Sequence, residues 1–532
     1  MDLLPFLAVA TAGAVLAVAL QGRRRWGTLV GFAGVIAALV ALVLAAPGEP
    51  LPIAGGVVAM TAYARVLLGV GLAGGLLVLA VSRLATWEAP APATLLVAVS
   101  GLAVALGVGG AVPGLLAAGA TSALAAAVAL AHPATPLRVR ALAREVRGAT
   151  VAMTVGVLAV SLAPEAIGGL AVQPQVAGLA ALAAGLALGH RFGAIPLHAR
   201  VARLSDAAPA SVLPALLALI PAGWAVVLLG WAPDTLGPAA PVIGWDGTLL
   251  VIVALATLVL GTFAALIQDD LLRIVAYTVV LDAGVVLLGF SSLDPSGREA
   301  VRAWLVPFVA SRAALIGWVI AFRAAFGTAR LSESRGWLRR APALGVGLVA
   351  IAAATVGWPG VLVWDARLAA LQAATGGPAL FVGTLAALGT AVAIARILGT
   401  GFGRPDPRVA AAPGELARVP AGLRAAARAL RRPEGRRVAT LRAASHEARP
   451  LLEMNRTPLR ALLIVLLAGL ALMTAGGAFG LRDAAGEPDL PVPVPAAPTP
   501  DPWSIGVPSF EPGLPANSKR PAEPEPSGAP TP

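Results

Sequence analysis

Arg191-Phe192-Gly193-Ala194-Ile195-Pro196-Leu197-His198 closes an apolar run that begins near residue 177. It sets an arginine, a glycine and a proline inside sequence of membrane grade. Proline removes a backbone donor and clashes with the preceding turn, so a helix must break there. A second apolar run ends the same way, in Gly357-Trp358-Pro359-Gly360. Interrupted helices at matching positions of two halves mark inverted repeats around a polar site at mid-membrane. Two unrelated proline kinks, at Pro196 and Pro359, are the plain alternative.

Composition sets the frame. Hydrophobic residues make up 58% of the 532 and charged residues 12%, with a mean hydropathy of +0.84. A soluble domain averages about 25% charged residues. Cysteine is absent, which excludes disulfides, thiolate metal sites and iron–sulfur clusters. The four histidines, His132, His190, His198 and His446, show no metal-ligand spacing. The net charge of +12 comes from arginines clustered in loops, which is a topology signal and not one for nucleic acid. Residues 3–20 lack a basic leader region and a small-residue cleavage site, so they are expected to be a retained first helix.

Fourteen apolar segments follow from the rule of about 20 residues per crossing: 3–20, 27–46, 60–82, 91–110, 112–131, 148–164, 177–198, 209–231, 247–267, 271–290, 301–322, 342–363, 378–400 and 459–480. Backbone groups in hydrocarbon need internal partners, so the expected fold class is an all-α polytopic membrane protein. Residues 1–90 hold helices 1–3. Residues 91–231 (helices 4–8) and 247–400 (helices 9–13) would form two inverted five-helix repeats, with helices 7 and 12 broken. Loops after odd-numbered helices carry Arg23–Arg25, Arg138, Arg140, Arg144, Arg147, Arg200, Arg203, Arg330, Arg335, Arg339 and Arg340. The segment 401–458 has twelve arginines against five acids. The positive-inside rule places these loops in the cytoplasm and both termini outside, in a multi-pass protein of the cell membrane. The basic 401–458 segment either lies along anionic lipid or is a solvated loop. Residue 459 opens the last helix (459–480). From Glu487 to Pro532 the proline-rich tail is expected to be extended or disordered and extracytoplasmic.

Five segments, in order between Ala141 and Gly399, resemble the antiporter-like membrane subunits of respiratory complex I and their relatives in membrane-bound hydrogenases and Mrp-type cation/proton antiporters. Arg191–His198 with Ala207-Ala208-Pro209 is similar to the family's K-x-x-A-x-P-x-H and A-P. Gln268-Asp269-Asp270-Leu271-Leu272-Arg273-Ile274-Val275-Ala276-Tyr277 resembles Q-x-x-(L/I)-K-R-L-x-(A/G)-Y. Ala310–Leu315 resembles H-x-x-x-K-A-x-L-F without its histidine. Gly336–Pro342 resembles G-L-x-x-x-x-P, and Gly357–Leu368 resembles G-x-P-P-x-x-G-F-x-x-K-F.

The resemblance implies proton carriage on buried lysines, yet the one lysine here is Lys519, in the tail. Arg191, Arg312 and Arg367 stand at the lysine positions, and Leu272 replaces the lysine before Arg273. Asp282 falls near the family's histidine, and the fifth apolar segment has no glutamate. Buried lysine can shift its pKa far enough to exchange protons, whereas arginine stays charged. The candidate ion-pathway residues are therefore His190, Arg191, His198, Asp206, Asp282, Arg312, Asp365 and Arg367. Arg312 is the expected partner of Asp282, and Asp365 lies two positions from Arg367. The same residues also read as ion pairs that hold broken helices together, with His198 and Asp206 at the interface.

The reading is a membrane subunit of a redox-driven proton- or cation-translocating complex, of NADH:quinone oxidoreductase or hydrogenase type. Its conduction would be weakened or lost. It would at most be a non-redox subunit, with no cofactor, no metal and no catalytic redox site of its own. Its partners would be other membrane subunits, protons or Na+, and the lipid bilayer, with no nucleic acid. Two alternatives stay open: a non-conducting structural or assembly paralogue in such a complex, and an unrelated polytopic secondary transporter.

Overall fold

The computed structural model describes residues 3–45, 51–53, 56–85, 90–131, 134–167, 173–407, 409 and 459–486, all within the unit Met1–Val492. The tail, and the basic segment beyond residue 409, lie outside the described residues. Helices follow one another almost without interruption, as satisfying the backbone in hydrocarbon demands. They are α1 (Leu3–Ala19), α2 (Arg24–Leu44), α3 (Ala62–Leu84), α4 (Ala91–Gly107), α5 (Ala111–Leu130), α6 (Pro136–Ile167), α7 (Pro174–Phe192) and α8 (Ala199–Ala207). Next come α9 (Ile220–Leu236), α10 (Trp245–Ile267), α11 (Leu271–Ser291), α12 (Pro295–Phe326), α13 (Pro342–Val356), α14 (Leu362–Thr375) and α15 (Ala379–Gly401). The helices α16 (Leu459–Ala475) and α17 (Leu481–Ala485) complete the set. A short hairpin pairs Leu51–Ile53 (β1) with Gly56–Val58 (β2). The protein is thus an all-helical polytopic membrane protein. Among the described residues nine helical segments are long and apolar enough to cross a membrane, and four shorter apolar helices join them.

The bundle has a centre and a rim. The crossing windows of Ala210–Pro241 and of α12 are wholly buried and that of α11 is 83% buried, whereas α2 is 28% and α10 33% buried. Lipid tails are as apolar as leucine, so small residues that let backbones approach drive contact between helices. Gly261 on α10 and Gly284 on α11 face each other's backbones. A Cβ on Gly261 would sit 2.8 Å from Leu281 N, and one on Gly284 would sit 2.7 Å from Ala254 O. This approach fixes α11, and with it Asp282, against α10.

Helix entry is set by caps. Asp270 accepts from Leu272 N (2.9 Å) and Arg273 N (3.1 Å), starting α11. Asp294 accepts from Ser296 N (2.7 Å), starting α12, and the hydrogen bonds from Ser296 hold its carboxyl below the usual range. The Gln268–Asp270 strip is stitched to the loop after α12. Leu271 N donates to Ala329 O (2.8 Å), and Ser332 N donates to the Asp269 carboxylate (2.9 Å).

Several boundaries differ from the hydropathy reading: α12 runs from Pro295 to Phe326 and not from 301 to 322, and α14 carries the twelfth segment on to Thr375. The sixth helix starts at Pro136 and not at 148, so four arginines and Glu145 lie in a helix and not in a loop. Arg200 and Arg203 likewise sit on α8. Hydropathy windows stop at charges, but helix formation does not.

The α10–α11 approach predicts a specific sensitivity. Gly284→Leu should destabilise the purified protein by about 1–3 kcal/mol or more through overpacking against backbone. Gly399→Leu, which meets nothing within 4 Å, should not. Thermal unfolding in detergent compares the two, and equal stability would contradict the packing.

Candidate functional site

A broken helix in a membrane leaves carbonyls without donors, and this sets the chemistry of the site. α7 ends at Phe192, Gly193 turns left-handed (φ 79°), and a cis Ile195–Pro196 peptide precedes α8. Pro196 has no N–H to offer Phe192 O. Ile195 N donates to Thr257 Oγ1 on α10 (3.2 Å), which leaves Arg191 O free. Arg200 Nη1, one turn beyond the break, fills that acceptor at 2.6 Å. Its Nη2 also reaches Leu216 O (3.3 Å), in the π-helical turn Ala215–Leu219 that leads into α9.

The rest of the Arg200 fork engages Glu145. Nε lies 2.9 Å from Oε2 and Nη2 lies 2.8 Å from Oε1, while Arg191 Nη2 donates to the same Oε1 at 2.9 Å. Glu145 is 4% exposed and Arg191 1%. One carboxylate therefore sits between two guanidiniums, and the Arg191 guanidinium also lies over the Trp224 ring (5.6 Å).

The second break repeats the solution. α13 ends at Val356, Gly357 has a positive φ (70°) with an extended ψ (173°), and Pro359 cannot donate to Thr355 O. Arg367 on α14 donates Nη2 to Thr355 O (2.9 Å) and Nη1 to Val356 O (2.8 Å). Asp282 on α11 accepts from Arg312 Nε on α12 (2.9 Å) and from its Nη2. Arg367 lies within electrostatic reach of both. All three side chains are buried. Each break thus carries two arginines and one carboxylate.

The remaining sequence-selected residues fall elsewhere. Asp365 does not pair with Arg367. It accepts from Gly360 N (3.2 Å) in the break loop and faces Arg482 of α17 at 3.6 Å, with its side chain 44% exposed. A helical spacing of two residues points side chains to different faces, which explains the separation. Asp206 is exposed and forms a bidentate pair with Arg273, both bonds 2.9 Å. His198 starts α8, with its ring 6.4 Å from that of Tyr277. His190 is half-buried, and its ring fills the space over Gly148.

Glu145, Arg200 and Arg302 were not selected from sequence. Arg302 is buried on α12 with its guanidinium 4.8 Å from the Tyr63 ring, while Tyr63 Oη donates to Arg302 O at 2.8 Å. One signal for Glu145 was available: it is the sole acid between Glu88 and Glu165. The fifth apolar segment has no glutamate, and the carboxylate comes from α6 instead. Among the described residues no group of three His, Asp or Glu side chains could hold a metal ion.

The sequence and the fold have counterparts among known proteins. A family model described as NADH:quinone oxidoreductase/Mrp antiporter, transmembrane, matches residues 165–393. The chain is 26% identical over 198 residues to the NADH-quinone oxidoreductase subunit N of Laribacter hongkongensis, covering 37% of this chain and 40% of that protein. It is 28% identical over 185 residues to subunit N of Halorhodospira halophila, covering 35% and 38%. The chain thus spans about two fifths of the length of these curated relatives. Three solved structures share the fold at 18% identity. They are a chain of Thermus thermophilus respiratory complex I (TM-score 0.67, 90% of this chain and 98% of that one), one of the Mrp complex from Dietzia sp. DQ12-45-1b (0.67, 91% and 52%) and one of an archaeal membrane-bound sulfane sulfur reductase (0.63, 92% and 97%).

If the carboxylates hold these arginines, removing one leaves buried cations without their counter-charge. Glu145→Gln and Asp282→Asn should each cost about 3–5 kcal/mol of stability. The double variant Glu145→Gln/Arg191→Gln should recover part of the loss. Unfolding temperatures in lipid nanodiscs give the comparison, and a double variant worse than the sum of its parts would argue against the pairing. Thr257→Val, which leaves Ile195 N–H without its acceptor, should cost about 1–3 kcal/mol.

Proposed function

We propose, on the premise that the chain is an antiporter-like member of the complex I and Mrp membrane-subunit family, that it is a non-redox membrane subunit of a multi-subunit ion-translocating complex. In this reading its own proton conduction is weakened or lost. Other membrane subunits, the bilayer, and protons or Na+ are its partners, and electron transfer belongs to other subunits of the complex. The match of residues 165–393 to the family model supports this reading over the unrelated-transporter alternative.

One observation carries the reading. The buried cations at both breaks are arginines that donate to carbonyls and carboxylates, although Arg191 Nε and Nη1 and Arg312 Nη1 have no partner among the described residues. Lysine at such sites can lose its proton when burial lowers its pKa. Arginine retains its proton in proteins, so it shapes the field and holds the backbone but does not relay. Glu145, Asp282 and His190 are then the buried or half-buried groups through which residual transfer along water would run. The structural-paralogue reading draws on the same bonds, since Arg200 and Arg367 act first as caps of broken helices.

Residues 91–231 and 247–400 are read as two inverted repeats. The support is that each break has similar parts: a glycine of positive φ at the helix end, a proline two or three residues on, and a later arginine capping the orphaned carbonyls. Fourteen crossings with arginine-rich loops in the cytoplasm and both termini outside complete the arrangement.

Two experiments test this. Reporter fusions at Leu430 and Phe510 should report cytoplasm and exterior respectively, and finding both on one side refutes the crossing count. Purified protein in liposomes under an imposed pH gradient should show dye-reported flux close to that of protein-free liposomes. Replacing Arg191, Arg312 and Arg367 with lysine together should raise it. Rapid flux in the natural chain that disappears in Glu145→Gln or Asp282→Asn would overturn the fixed-charge reading.

A further inference from the structure

A cleft opens between α6 and α8 beside the first break. It is lined by Ala141, Arg144, Glu145, His190, Arg200, Arg203 and Leu204, and its enclosed part is small, about 20 Å3, so a ligand would sit at its mouth. Three guanidiniums there face one carboxylate. Glu145 is spent on Arg191 and Arg200. Arg144 and Arg203 are exposed at the mouth and have no ion-pair partner among the described residues. His190 Nδ1, on the wall, is buried without a hydrogen-bond partner among the described residues.

The position of Arg144 indicates what completes the cleft. Leu137, Arg144, Val151 and Leu158 recur every seven residues, so they share one face of α6. The three apolar members are 57%, 57% and 53% exposed, as side chains against lipid tails are. Arg144 is the cation on that stripe. The exposed pair Asp206–Arg273 and the bond from Arg138 Nε to Ala207 O (3.2 Å) mark the polar end of α8. At 1.5 Å per residue Arg144 lies about 9 Å along α6 from Arg138. Arg144 therefore lies between that polar end and the exposed apolar Val151 and Leu158.

We infer that this cleft is a headgroup site for an anionic phospholipid. The lipid's phosphate is held by Arg144 and Arg203 over Arg200, and its chains lie along Val151 and Leu158, farther along α6 from the polar end. The chemistry needed is a phosphate anion joined to an apolar tail. Guanidinium forks match phosphate oxygens in geometry and charge. A soluble phosphate has no use for the apolar stripe, and a zwitterionic headgroup cancels the charge that the cleft lacks.

The experiment uses the intact chain, exchanged into detergent and freed of bound lipid, with unfolding followed by tryptophan fluorescence. Added phosphatidylglycerol should raise the unfolding temperature, and phosphatidylcholine should not. Arg144→Gln/Arg203→Gln changes two exposed side chains, should fold with the same temperature in lipid-free detergent, and should lose the phosphatidylglycerol response. Native mass spectrometry should show one fewer retained phosphatidylglycerol on the double variant. An unchanged lipid response or adduct count in the variant overturns the site. So does an equal response to phosphatidylcholine, or full reproduction of the shift by inorganic phosphate, which would make the cleft a free-anion site.

Discussion

An interrupted helix cannot leave its carbonyls bare in hydrocarbon, and the architecture follows from how this chain meets that demand. At each break the donor is a guanidinium arriving from beyond the proline: Arg200 for Arg191 O, Arg367 for Thr355 O and Val356 O. A water could donate, but it would carry no information about which segments belong together. An arginine ties the half-helix before the break to the one after it. Thr257 adds a third element, since its hydroxyl takes the N–H that Arg191 O no longer receives. The breaks are therefore held by named groups on α8, α10 and α14.

Bringing cations to the breaks creates the next problem, which is their own burial. An isolated ion in a low-dielectric interior costs several kcal/mol even after relaxation. Glu145 and Asp282 answer it, each placed by a neighbouring helix against a pair of guanidiniums. Trp224 and Phe308 lie 5.6 Å from Arg191 and Arg312, adding ring faces to the balance. The compensation is incomplete in charge, with two cations to each acid. Of the three positions that resemble the family's lysines, Arg367 clamps backbone carbonyls, whereas Arg191 and Arg312 bond carboxylates.

Several parts of this were legible in the residues. Asp282 and Arg312 each sit deep within an apolar run, on adjacent helices, where a lone charge must find a partner. Pro196 and Pro359 gave the breaks because the loss of an N–H is a property of the residue itself. Other parts were not legible. Glu145 lies among Arg138, Arg140, Arg144 and Arg147, so hydropathy assigns it to a loop, while the helix continues through it. Arg200 falls after the proline and reads as a loop charge, although it is 4% exposed. Asp365 and Arg367 are close in sequence but point to different sides of α14.

By itself the sequence determined that the chain spans a membrane as helices, where two of those helices break, and that the cations near the breaks are not lysines. These follow from local properties: apolar run length, the missing proline N–H and the identity of each side chain. Only the tertiary structure decided which carboxylate meets which arginine and which orphaned carbonyl each guanidinium fills. Those pairings join residues 46, 55 and 30 positions apart, through helix faces set by packing such as the close approach of α10 and α11 at Gly261 and Gly284. Charge acts through space, and distance along the chain carries no record of it.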